Sequence, residues 1–519
     1  MPRNNSDPLF HLIKSLSKSE KRYFKLFVTR QKDTKDTKFL SLFYIIDKQL
    51  IFDEDLIIKK NPELKRSQLP NMKAYLYKQI LSSLRNYNPN NDLEIKMREM
   101  IDHAKILYNR CLYEQCYKML KKAKTFSKEY DKQIFLMEIT DLEKRLVTKL
   151  IRTNDEHRVG DLVKESDNAY NTSLNINNFY NLWIRFYSFY LNFGFIRDQK
   201  DFENVTAFLY SGLPVFEEED LSFDEKMYLY NSLIAYYFFI QDFKRGYEYS
   251  QKCLSLFEDN QYLIIPKLEF YIKAVNNLMT AQSKLSKLDE FTRTAKKFNE
   301  ISNLSGPSNT FNNRLLLFKY SSTHKINRFY MLGEFSEGVK IVPRIADQLE
   351  KFSGILDEHY TMIFYYKFAC MYFGNEDYSR ANYWLNKIIN SGSIDFRSDI
   401  QSFARILNLI CHYELGNAEQ MEYYIRSTYR FIMKKESLQQ FQKIILRFLK
   451  KLSYITTDQL NENFADLIIQ LKVLSKDPYQ KRAFIYFDSI SWLESKIVNR
   501  PVQEIIKEKA LKKIQLAEE

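Results

Sequence analysis

Glycine and proline are scarce, with 11 of each in 519 residues and no glycine before Gly160. Sheet proteins of this length need many tight turns with positive φ, so the shortage argues against strands and for helices. Long apolar runs are missing too. The richest, Tyr228 to Ile240, contains Asn231 and Ser232 and is shorter than the ~18 apolar residues that cross a bilayer. The opening segment Met1-Pro2-Arg3-Asn4-Asn5-Ser6-Asp7 is polar, and Lys14, Lys18, Lys21 and Arg22 interrupt the apolar positions after it. No secretory signal is therefore expected, and the chain is expected to be cytoplasmic. Five cysteines, Cys111, Cys116, Cys253, Cys370 and Cys411, are odd in number and scattered over predicted helices. They are expected to be buried thiols rather than a disulfide framework.

Signatures of chemistry are equally thin. Neither the phosphate-cradling Gly-x-x-x-x-Gly-Lys-Ser/Thr nor Gly-x-Gly-x-x-Gly occurs. Ser391-Gly392-Ser393 reads as an inter-helix loop rather than a nucleophile elbow. His11, His103, His157, His324, His359 and His412 contain no pair at metal-ligand spacing. Cys111 and Cys116 are read as packing residues of a hairpin. The acidic run Glu217-Glu218-Glu219-Asp220 suits a solvated helix start, with a basic partner segment as the alternative. Tyr236-Tyr237-Phe238-Phe239 suits core packing, with a ligand box as the alternative. No catalytic, cofactor or metal residue is expected, and the chain is read as a non-enzyme.

What the chain does have is 45% hydrophobic and 28% charged residues, the balance of a folded protein, with 37 Tyr and 40 Phe available to lock helices together. Its net charge of +13 is uneven. Residues 1–89 hold 18 Lys plus Arg against 9 Asp plus Glu, a net of +9, and residues 90–519 hold 60 against 56. Helix starts recur throughout, beginning with Asp7-Pro8 and with the capping-box spacing of Ser17 and Glu20. Helices are predicted over 39–50, from Asp53 to Lys60, and over 70–88, the last with Leu76, Ile80 and Leu84 as a buried stripe and Leu81 beside it. Asn88-Pro89-Asn90 ends that helix and marks a first boundary.

Beyond it, long helices alternate with very short turns. The clearest pair places Tyr365, Phe368, Ala369 and Tyr372 on one helix, Gly374-Asn375-Glu376-Asp377 in the turn, and Tyr378, Ala381, Leu385 and Ile388 on the next. Large residues alternating with small ones at this spacing let two helices approach closely. The spacing resembles the tetratricopeptide repeat, whose period is about 34 residues. Fainter copies run through Tyr230 to Cys253, Phe329 to Ile345 and Cys111 to Ala123, while Met421 and Phe291 stand where two further copies would carry a small residue. The resemblance covers residues 93–435 and implies an all-α, irregular tetratricopeptide-like α-solenoid of antiparallel hairpins.

Three parts are thus expected: a basic helical module over 1–89, repeats over 90–435, and capping helices over 436–519, predicted at 438–452, 458–474, 478–498 and 502–516. Repeats of this kind, without catalytic motifs, lead to the expectation of a scaffold or adaptor that holds a protein or peptide. The first module has the outline of a helix-turn-helix unit. Lys65, Arg66, Lys73, Lys78 and Arg85 are its candidate nucleic-acid contacts, which makes a nucleic-acid-binding regulator the alternative. No cofactor and no membrane insertion are expected.

Overall fold

The structure, a computed structural model, describes residues 7–29, 35–62, 64–87, 92–149, 156–301, 310–352, 355–391, 397–435, 439–452 and 459–518. All regular structure among them is helical. The chain divides into two compact units, residues 1–163 with 306–311, and residues 164–305 with 312–519.

The first unit contains α1 (Pro8–Ser15), α2 (Lys18–Thr29), α3 (Lys35–Lys48), α4 (Glu54–Lys60), α5 (Leu69–Tyr87), α6 (Leu93–Asn109), α7 (Tyr113–Glu129) and α8 (Gln133–Val147). Local chemistry sets several of these starts. The Asp7 carboxylate accepts from the Phe10 amide at 3.0 Å ahead of α1, and Asp53 does the same for Leu56 at 3.1 Å ahead of α4. Ser17 and Glu20 close a reciprocal capping box at α2. Two separate apolar cores result. One gathers Ile13, Phe24, Phe43, Ile57, Leu76 and Ile80 from α1 to α5, and the other gathers Ile101, Cys116, Leu120 and Ile139 from α6 to α8. On α5, Leu76 and Ile80 are buried and Leu84 half-buried, but Leu81 faces solvent.

The unit boundary falls within α9 (Glu156–Phe193). The second unit continues with α10 (Gln199–Gly212), α11 (Phe223–Phe239), α12 (Phe243–Asp259), α13 (Leu268–Lys284), α14 (Leu288–Ile301), α15 (Phe311–Leu332), α16 (Phe335–Lys351), α17 (Glu358–Gly374), α18 (Tyr378–Ile389), α19 (Ser398–Glu414), α20 (Ala418–Lys435), α21 (Gln440–Leu452) and α22 (Leu460–Leu474). It ends with α23 (Ala483–Tyr486), α24 (Ser489–Val498) and α25 (Val502–Glu518). Helices pack mainly on their neighbours in sequence, as α11 on α12 and α17 on α18, with α17 also meeting α19. The single helix expected over 478–498 is two: the chain is extended at Phe487, and the Asp488 carboxylate starts α24 by accepting from the Ser491 amide at 3.0 Å.

One turn geometry closes seven hairpins. Cys111, Asp131, Gln241, Ser286, Gly333, Glu376 and Gly416 all have φ between 49° and 73°. In each turn the amide of the following residue bonds a carbonyl five positions back, as Asp242 to Tyr237 at 2.9 Å and Asp377 to Tyr372 at 3.0 Å. These bonds satisfy carbonyls that the helix end leaves unpaired. The second helix therefore starts in the same phase each time, and the fifth residue after the left-handed one (Cys116, Leu136, Gly246, Phe291, Gly338, Ala381 or Met421) is always buried. Gly246 shows why size matters there, since a Cβ would stand 2.5 Å from the Phe238 ring. Five of the seven left-handed positions are not glycine, which corrects the placement of Cys111 in a helix: it is an exposed turn residue.

A left-handed backbone disfavours any residue with a Cβ by about 1 kcal/mol. Ser286→Gly is expected to raise the midpoint of thermal unfolding. Gly416→Ala, where a Cβ would meet nothing within 4 Å, is expected to cost about 1 kcal/mol through backbone strain alone. Paired calorimetric melts check both directions.

Candidate functional site

The basic residues of the first unit occupy different environments. Lys65 and Lys78 are exposed. Arg66 meets Asp55 at 3.1 Å and Arg85 meets Asp102 at 3.7 Å, both in solvent-facing pairs worth little by themselves. Lys73 is held by Asp7 at 2.7 Å and by Glu54, and rests over the Phe52 ring. Burial pulls its pKa down, but the hydrogen bonds and charges of the two carboxylates outweigh that and raise it. Lys73 thus fastens α5 to the start of α1 and to α4. Additional exposed cations, Lys118, Lys121 and Lys122, flank Leu107 and Met119 around an open depression on α6 and α7. Residues 1–163 carry 33 Lys plus Arg against 22 Asp plus Glu, and 306–311 carry no charge, so this unit holds +11 of the total +13.

The packing residues of the 365–388 hairpin lie in one core. Phe368, Ala369, Ala381 and Leu385 are fully buried, Tyr372 and Ile388 nearly so, and Tyr365 and Tyr378 half-buried. The Tyr365 and Phe368 rings both contact Trp384, at centroid separations of 5.4 and 5.0 Å. The acidic run beside α11 is also structural in part, since Glu218 accepts from Tyr230 at 2.6 Å and from Lys252 at 2.9 Å. The helix itself is started by the Ser222–Glu225 capping box. Of the other sequence features, the loop at Gly392-Ser393 and the 88–90 boundary lie outside the described residues. Among the described residues no cluster of three or more His, Cys, Asp or Glu could hold a metal ion, and no helix is long and apolar enough to cross a membrane.

A polar face on α13, α15 and α17 in the second unit had no counterpart in the sequence reading. Lys273, Asn277, Thr280 and Lys284 fall three and four apart along α13, and all are reached by solvent between buried Ile272, Val275 and Met279. Thr323, Asn327 and Tyr330 continue the face on α15, and Ile363, Lys367 and Cys370 on α17. Side-chain bonds hold the three helices side by side: Asn276 with His324 at 3.0 Å, Lys367 with Asn327 at 2.6 Å, and the Tyr330 hydroxyl donating to the Lys367 carbonyl at 2.8 Å.

The lysines on and beside this face differ in their electrostatics. Lys284 is open to solvent, yet protein surrounds it closely enough that burial lowers its ammonium pKa to about 8. Burial lowers Lys367 to about 7, with the Lys284 charge adding to the effect. Lys319 is brought to about 8 by burial; its ammonium sits 3.5 Å from the centre of the Tyr360 ring. His324 is pushed by burial to about 3 and is neutral at physiological pH. Among the described residues no carboxylate pairs with Lys284, Lys319 or Lys367, although Lys273 has Glu269 at 2.5 Å. No spacing rule marks such lysines, because a helical Lys in sequence looks alike whether its ammonium meets bulk water or a neighbouring helix. No protein-family model matches the chain, and no curated protein matches it.

Because Lys367 titrates lower in the fold than the ordinary lysine value of 10.5, the unfolded chain binds more protons between about pH 7 and 10. The unfavourable charge at this position is thus felt below pH 7 and relieved as pH rises. Lys367→Met is expected to stabilise the protein most near pH 6, with the difference from wild type shrinking toward pH 10, as urea unfolding at several pH values reports.

Proposed function

We propose that this chain is a non-catalytic adaptor built of tetratricopeptide-like helical hairpins, holding a protein or peptide segment on the face formed by α13, α15 and α17. The observation that carries this reading is the accessible polar face itself. Three adjacent helices present amides, hydroxyls and ammonium groups to solvent at matching helical positions, and among the described residues no carboxylate pairs with Lys284 or Lys367. The repeated turn and the buried fifth position support the repeat assignment. In this reading residues 1–89 form a basic helical module, 90–435 the repeats and 436–519 the cap.

A second reading, a nucleic-acid-binding regulator, is favoured by the concentration of positive charge in the first unit. Its contacts would be Lys65, Arg66, Lys78 and Arg85, joined by Lys118, Lys121 and Lys122, with Lys73 acting through the fold.

Two tests separate the readings. Thr280 and Thr323 bond only to carbonyls of their own helices, at 2.8 Å each, so Thr280→Trp and Thr323→Trp block the face without removing a tertiary hydrogen bond. Proteins that copurify with the wild-type chain are expected to fall about tenfold or more in the double variant; undiminished recovery would count against an adaptor using this face. For the second reading, a mobility shift with duplex and single-stranded nucleic acid is expected at low salt, weakening steeply as salt rises and with Lys65→Ala and Lys78→Ala. Absence of a shift even at low salt removes it.

A further inference from the structure

Five lysines lie along α7 in the first unit, and the fold uses them unequally. Cys116, Leu120, Ala123 and Ser127 form the buried stripe of this helix, three and four residues apart, and Lys124 beside it is bonded to Glu143 of α8. Gln115, Lys118, Met119, Lys122 and Thr125 take another side of the helix. With Lys121 and with Leu107 of α6 they surround an open depression of about 590 Å³. Leu107 and Met119, both half-buried, give the depression an apolar part, and Lys118, Lys121 and Lys122 stand exposed around it. Three carboxylates of the flanking helices are engaged elsewhere: Glu94 holds Lys132 at 2.8 Å, Glu138 holds Lys105 at 2.5 Å, and Glu143 holds Lys124. Among the described residues no carboxylate pairs with Lys118, Lys121 or Lys122.

We propose that this depression docks an acidic segment of a partner protein, with one large apolar side chain against Leu107 and Met119 and flanking carboxylates on Lys118, Lys121 and Lys122. Charge complementarity selects the sign of the occupant, since the unit that holds the depression carries +11 of the total +13. Lys118 and Lys122 are one helical turn apart, with Lys121 next to Lys122, so they match carboxylates spaced about 5–6 Å apart. The apolar part selects the class of partner. A phosphate backbone would satisfy the lysines but gain nothing from Leu107 and Met119, and the lining offers no aromatic ring or arginine on which a base could stack. An apolar side chain flanked by carboxylates uses both parts. Because the depression belongs to the first unit, the proposal goes beyond the face of α13, α15 and α17 and does not depend on it.

Fluorescence anisotropy of the full chain with the labelled peptide Glu-Glu-Asp-Leu-Phe-Asp-Glu-Glu tests this. Saturable binding is expected at low salt, weakening several-fold as salt rises. The Lys118→Gln, Lys122→Gln double variant should weaken it about threefold to tenfold. Met119→Gln, which keeps the length of the side chain but not its apolar character, should weaken it several-fold, and so should replacing the Leu and Phe of the peptide by Ser. Lys78→Gln, at an exposed lysine on α5, should leave binding unchanged. Circular dichroism melts establish that each variant is folded. The proposal is overturned by absent saturation in the wild type, by unchanged affinity in the double lysine variant, or by equal binding of the Ser-substituted peptide, which would reduce the contact to charge alone. Single-stranded DNA or phosphatidylserine vesicles that displace the peptide at lower concentration than unlabelled peptide does would also overturn it, assigning the lysines to nucleic acid or to a membrane surface. The Thr280→Trp, Thr323→Trp variant should bind the peptide as the wild type does, so this proposal and the adaptor reading fail separately.

Discussion

The left-handed residue that ends the first helix of each hairpin is the constraint on which the remaining geometry depends. With its amide and the next one bonded back to the helix they follow, the chain has no freedom in how the second helix begins. Phase is set by backbone hydrogen bonding, and side-chain size then sets distance. Where the fifth position is Gly246 the partner ring of Phe238 comes directly against the backbone; where it is Phe291 or Met421 a large side chain fills the same place. Hairpins of one phase follow, with residues of unequal size at the fifth position.

A fixed phase also determines which face of each first helix is left over. On α13, burial of Ile272, Val275 and Met279 leaves Lys273, Asn277, Thr280 and Lys284 in line, and α15 and α17 repeat the arrangement. Polar groups in this fold are handled in two ways. Arg397 and Asp399 are almost wholly buried and are fully engaged: the guanidinium bonds both carboxylate oxygens at 2.8 and 2.7 Å and the Tyr190 hydroxyl at 3.0 Å, and Tyr486 donates to the same carboxylate. The Arg397 amide adds a bond to the Leu191 carbonyl at 2.9 Å, so one network joins the end of α9, the start of α19 and α23. Removing either charge would strand the other in a low-dielectric interior. Lys284 and Lys367 contrast with this, because among the described residues no carboxylate offsets their desolvation.

Much of the fold could be read locally. Asp7, Ser17 with Glu20 and Asp53 are caps at the helix starts where they were expected, because a cap needs only a few consecutive residues to form its bonds. Turn positions were recognisable by spacing but not by residue type. The shortage of glycine suggested few left-handed residues, yet Cys111, Asp131, Gln241, Ser286 and Glu376 adopt that conformation because helix-end hydrogen bonds compensate for it. Leu81 and Lys73 exchanged the roles that periodicity assigned them. Leu81 belonged to an apolar stripe and faces water; Lys73 belonged to a basic surface and is locked between two carboxylates from distant parts of the chain.

The sequence by itself determined the helical class, most helix starts, the hairpin cadence and the concentration of charge near the N-terminus, since each follows from composition or from residues within a few positions of one another. Only the tertiary structure decided that the helix expected over 478–498 breaks at Phe487, that the basic segment belongs to a compact unit extending to residue 163, and that Lys284 on α13 and Lys367 on α17 have no paired carboxylate among the described residues. Those features depend on which distant groups come within a few ångströms, and desolvation and charge pairing are properties of that neighbourhood rather than of the residue. The seven turns belong to both levels: their spacing was written along the chain, while the left-handed backbone at five non-glycine positions was settled by the bonds that folding allowed them to make.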